Sequence, residues 1–131
     1  MTIRFTTLLS ILVCISLASA QNISGNLSQL SGQKLQLEGF EGINTYQIDS
    51  TTIDGQGHFE LTYSTTDIGV GYLKSKDNQL LFVILSGEDI VLKGQTLSIS
   101  ETLKITKGQE NILFEQYAKE QPKREQALTA W

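Results

Sequence analysis

The chain predicts a mainly β domain: an antiparallel β-sandwich or barrel-like sheet of about eight to nine short strands, followed by a C-terminal helical segment. Three observations carry that expectation. Short stretches alternating apolar and polar residues recur at intervals of about 8–12 residues, with turn-forming residues between them. The single proline, Pro122, lies outside every one of these stretches, as strand ladders require. From Gly108 onward the period changes from two to between three and four.

Residues 1–20 are set aside first. Arg4 supplies a positive start, Leu8 to Leu17 an apolar centre and Ala18-Ser19-Ala20 a small-residue cleavage motif, so a signal peptide is expected, with Gln21 as the mature N-terminus. The apolar centre is shorter than the ~20 residues a membrane span needs. Cys14, the only cysteine, would leave with the signal, and the exported chain would have no thiol, disulfide or thiolate metal site. One of the ten basic residues and none of the fourteen acidic ones precede Gln21, which makes the mature charge 9 − 14 = −5. Interspersed charges of this balance argue against nucleic acid and against stable insertion at an anionic membrane.

The domain expected over residues 21–107 begins with a strand at Asn22–Leu27, where Asn22 and Asn26 both fit the permissive N-glycosylation pattern. Lys34 to Phe40 alternates, with Leu35 and Leu37 inward and Lys34, Gln36 and Glu38 outward. Tyr46 to Tyr63 reads as two strands joined as a β-hairpin by Asp54-Gly55-Gln56-Gly57. Gly69 to Lys74 is a further strand, and Ser75–Gln79 a turn in which Asp77 and Asn78 suit left-handed backbone. Leu80–Leu85 is apolar throughout, which predicts the most buried strand, covered on both faces. Ile90–Leu92, Leu97–Ile99 and Leu103–Thr106 complete the set.

From 108 to 131 a helical segment is expected, with Leu113, Phe114, Tyr117 and Ala118 in one stripe and a second helix starting near Pro122. The chain ends on Trp131 with no glycine cap, so this segment is expected to begin a linker to a further domain.

No catalytic, cofactor-binding or metal-binding constellation is visible. His58, the only histidine, is expected on an outer face beside a turn, without the companions a metal site or nucleophilic triad requires. The carboxylates are dispersed, and Asp54 and Asp77 read as turn formers. Phe40, Tyr46, Phe59, Tyr63, Tyr72 and Phe82 alternate with polar residues and are expected in the core, with an exposed aromatic groove for a glycan or peptide as the alternative.

Ile23-Ser24-Gly25, then Ile48-Asp49-Ser50-Thr51-Thr52-Ile53-Asp54 leading through glycine into Gly57-His58-Phe59, then Leu103 to Gly108 and a helix form an ordered set. Over about residues 21–120 it resembles the N-terminal domain of unknown function that precedes a thioredoxin-like module in bacterial envelope thiol–disulfide oxidoreductases. The resemblance implies a periplasmic, β-rich accessory domain without catalysis of its own, since the redox Cys-x-x-Cys pair of that family lies in the following domain. It implies a thioredoxin-like domain, in cis or in trans, or another envelope protein as partner, and no cofactor. The docking surface is expected on the helical segment at Leu113, Phe114, Tyr117, Leu128 and Trp131.

Overall fold

The alternating segments assemble into two four-stranded sheets that enclose one apolar core. The computed structural model describes residues 20–99 and 102–129, with side chains described to residue 122; residues 1–19 of the expected signal peptide, with Cys14, the Leu128 side chain and Trp131 lie outside these. The strands are β1 (Gln21–Leu27), β2 (Lys34–Glu41), β3 (Asn44–Thr52), β4 (His58–Tyr63), β5 (Gly69–Ser75), β6 (Leu80–Leu85), β7 (Ile90–Gly94) and β8 (Lys104–Lys107), and helix α1 (Gln109–Thr129) follows. Sheet A has the order β4-β1-β7-β8 and sheet B the order β3-β2-β5-β6. Every neighbouring pair is antiparallel except β1 and β7, which run parallel.

Period-two patterning accounts for the layers. Leu35, Leu37, Leu73, Leu81, Val83 and Leu85 point inward from sheet B. Ile23, Leu27, Leu61, Tyr63, Ile90 and Leu92 meet them from sheet A. Each such side chain contributes roughly 1.5–3 kcal/mol by leaving water, which lets the described domain cohere without a staple. Two glycines are dictated by close approach. A Cβ on Gly25 would lie 1.7 Å from the Leu92 carbonyl oxygen, so the central β1–β7 pair admits no side chain there. A Cβ on Gly39 would lie 2.9 Å from Cζ of Tyr46, whose ring covers that glycine from the neighbouring strand.

Several expectations are corrected. Tyr46–Tyr63 is not a hairpin within one sheet: β3 pairs only with β2 and β4 only with β1, so the chain arches from one sheet to the other. The loop still closes tightly, with Gly57 N donating to Asp54 O at 3.0 Å and Asp54 N to His58 O at 3.0 Å. Beyond it the strands part, and in β3 Ile48 has no partner in the register between Leu37↔Asp49 and Glu38↔Gln47, a bulge that bends the strand away. β6 is not covered on both faces; it is the edge of sheet B, with Leu80 and Phe82 exposed. A continuous apolar run does not distinguish a doubly buried strand from one whose outer face is apolar for another reason. Leu97–Ile99 forms no strand; Leu97 is buried and its N–H donates to Oε1 of Gln79 at 3.2 Å. No second helix starts at Pro122, because α1 runs through it. The proline removes one helical donor, a local cost of about 3 kcal/mol that does not oblige the chain to restart.

Candidate functional site

Two surfaces combine exposure with chemistry: helix α1 and the outer face of sheet B. The helix is docked by its polar residues. Asn111, 1% exposed, accepts from Ile84 N at 2.7 Å through Oδ1 and donates to Ile84 O at 2.8 Å through Nδ2, occupying the β6 edge as another strand would. Glu115, 8% exposed, accepts from Ile105 N at 2.7 Å. Lys119 Nζ donates to Leu103 O and to Oε1 of Glu115, both at 2.6 Å. The carboxylate of Glu88 receives Gln109 N at 3.0 Å, placing a negative charge at the helix start where the peptide dipoles favour it.

With those residues turned inward, the apolar ones are left outside. Leu113 is 51% exposed, Phe114 36% and Tyr117 53%, while Ile112 packs against the core. Three residues of the expected docking surface therefore share the exposed side of α1. Leu128 and Trp131 fall where no side chain is described.

On the outer face of sheet B, cross-strand register assembles a second cluster. Phe40 and Tyr72 have ring centroids 5.6 Å apart, and Tyr72 and Phe82 6.2 Å apart with an edge-on tilt. The core expectation holds for Phe59 and Tyr63 and fails for Phe40 and Phe82, which stand in solvent. Alternation shows that a strand has two faces, and an apolar outer face looks the same as an inner one until the sheets are placed. Tyr72 Oη donates to Oε2 of Glu38, and that bond raises the phenol above its ordinary pKa, with desolvation adding to it. Tyr46, at the other rim, is raised by burial and by donating to Oδ1 of Asp67 at 2.9 Å. Burial also raises Tyr63, whose hydroxyl donates to Glu88 O at 2.6 Å and accepts from Gly87 N at 3.0 Å. All three phenols thus stay protonated at neutral pH and act as donors or ties.

His58 is exposed, with Nδ1 3.8 Å from Oδ2 of Asp54. Asp54 is a turn former: its Oδ1 accepts from Gln56 N and His58 N, each at 2.9 Å. Asn78 takes the left-handed backbone expected in the β5–β6 turn, with φ 59°. Among the described residues no three histidine, cysteine or carboxylate side chains are grouped as metal ligands, and no described helix is long and apolar enough to cross a membrane.

A cleft escaped the sequence altogether. Lys34 on β2 and Lys74 and Lys76 at the end of β5 and in the turn after it line a cavity of about 500 Å³ at one end of sheet B. The readable signal was the outward position of Lys34 beside Gln36; the strand order that adds Lys74 was not.

No curated protein and no solved structure matches the chain. A family model described as Domain of unknown function (DUF4369) matches residues 21–114, which spans β1 to the first turns of α1 and takes in both sheets. The chain belongs to that family.

Proposed function

We propose that the chain is an exported, non-catalytic accessory domain of the cell envelope that works by contact, its partner being a thioredoxin-like domain in cis or in trans. The observation that carries this reading is the inverted helix: α1 spends Asn111, Glu115 and Lys119 on the sandwich and leaves Leu113, Phe114 and Tyr117 in water. Apolar groups concentrated on one exposed side of a helix gain free energy when a partner covers them. The test is calorimetric titration of the exported chain with a thioredoxin-like domain from the same envelope, using Leu113→Glu/Tyr117→Glu as the variant. Affinity should fall at least about tenfold, ~1.4 kcal/mol, with the urea midpoint unchanged. No binding by the unaltered chain, or equal binding by the variant, overturns the reading. N-terminal sequencing of the secreted product checks export independently and should begin at Gln21.

A second reading is favoured by the Phe40, Tyr72 and Phe82 cluster: a sandwich that captures a glycan or peptide on its exposed aromatic face. A glycan-array or peptide-panel signal lost on Tyr72→Ala and kept in the helix variant would favour it over the first.

A further inference from the structure

We propose that the outer face of sheet B binds an anionic oligosaccharide, with the acidic groups of the sugar held by Lys34, Lys74 and Lys76 and its ring faces laid over Tyr72, Phe82 and Phe40. The proposal deepens the second reading above and rests on it. Register orders the face. At one end Lys34 stands opposite Thr52; next come Gln36 opposite Ser50 on one side and Lys74 on the other; then Glu38 opposite Tyr72, which is itself opposite Phe82; and last Phe40 opposite Thr45. Lys34 to Phe40 spans about 20 Å at ~3.3 Å per residue. A cationic cleft therefore runs into an aromatic platform on one continuous surface.

Charge singles out the first end. The chain is net acidic, yet none of these three lysines enters an ion pair among the described residues. The nearby Asp77 carboxylate accepts instead from Nε2 of Gln33 at 3.0 Å. Three lysine side chains outside any ion pair around a cavity of about 500 Å³, with Gln36, Thr52 and Asn78 on the same walls, suit an anion that also carries hydroxyls. The platform suits the same molecule. Its rings alternate with amide, hydroxyl and carboxylate side chains, which an acyl chain would leave unpaired and which sugar hydroxyls satisfy. A peptide adding as a strand needs free backbone on an edge, whereas β2 and β5 are paired on both sides here.

Affinity electrophoresis of the exported chain through gels containing polygalacturonate, dextran sulfate or neutral dextran tests the proposal, with a single-stranded oligonucleotide as a further anion. Retardation by polygalacturonate or dextran sulfate is expected, and which of them retards separates carboxylate from sulfate recognition. Lys34→Gln/Lys74→Gln/Lys76→Gln should weaken retardation at least about tenfold, and Phe82→Ala by about tenfold, the scale of one lost stacking contact. If the triple variant fails to fold, Lys76→Glu alone, in an exposed turn, should weaken it in the same direction. No retardation by either anionic polysaccharide, retardation only by the oligonucleotide, or lysine variants that bind as before overturns the proposal. Binding to a neutral glycan or a peptide without these would sink the anionic site and leave the second reading standing; silence of every ligand would remove both.

Discussion

The two open sides of the sandwich are closed by different means. On one side the free edges of β3 and β4 are successive in the chain, and a single carboxylate spans them: Asp49 accepts from Ser50 N at 2.8 Å and from Thr62 N at 2.9 Å. On the other, β6 and β8 are separated by β7 and the connections on either side of it, and a helix closes the gap with Asn111 on β6 and Glu115 and Lys119 on the chain at Leu103 and Ile105. Where continuity already holds two edges together, one side chain takes an N–H from each. Where it does not, three long polar side chains must reach down from a separate element, and that turns the helix inside out. The exposure of Leu113, Phe114 and Tyr117 is thus coupled to how the seam is built.

Breaking the helix seam should have the largest effect. Asn111→Ala leaves both Ile84 N–H and Ile84 C=O without their partner under the helix, at about 1–3 kcal/mol for each buried group that water cannot reach. The urea midpoint should fall by ~2–4 kcal/mol equivalent with hydrogen-exchange protection of Ile84 lost; a fall below half a kcal/mol would mean the helix is not what closes that edge. Breaking the arch seam should cost less, because chain continuity keeps the edges close. Asp49→Ala removes two charge-assisted bonds at a half-buried site, for about 1.5–3 kcal/mol. If Asp49→Ala proves worse than Asn111→Ala, continuity contributes less than the comparison assigns to it. Lys119→Met should fall in the same range, about 1–3 kcal/mol: Leu103 O and the Glu115 carboxylate each lose a donor, while Glu115 keeps its bond from Ile105 N and the methionine stem retains the packing.

Most of the inner layer was legible in the residues. Leu35 and Leu37 alternate with Lys34 and Gln36, and Phe59, Leu61 and Tyr63 with His58, Glu60 and Thr62, so these strands read correctly. The sheet to which each strand belongs was not legible. Asp54-Gly55-Gln56-Gly57 closes a turn equally well between strands that pair and strands that part, and what parts them, the bulge at Ile48, emerges only from a register with β2. The same blindness hid the aromatic face, because Phe82 in an apolar run carries no mark of which side it takes. What docks the helix was likewise hidden in its composition. An apolar stripe normally marks the buried side, and here Asn111 and Glu115 hold that side because they answer two strand edges that local sequence does not reveal.

The smallest expected effect lies at the tip of the arch, in the turn that both readings of Tyr46–Tyr63 share. The Asp54 carboxyl is held below its ordinary pKa by the backbone N–H of His58 first and of Gln56 next. A group lowered in the folded state stabilises it above the unfolded-state value and loses that contribution as pH falls through the folded value. The acid contribution of this turn should therefore persist at neutral pH and fade below about pH 4. In Asp54→Asn the amide oxygen still accepts one N–H but does not titrate. The stability gap between the two proteins, read from urea midpoints between about pH 6 and pH 3, should narrow as the acid limit is approached. Because the turn closes by backbone bonds whether β3 and β4 pair or part, that narrowing should survive in Asp49→Ala. If it vanishes there, the tip and the seam form one cooperative unit, and the carboxylate at Asp49 sets the geometry of the turn as well as the spacing of the strands.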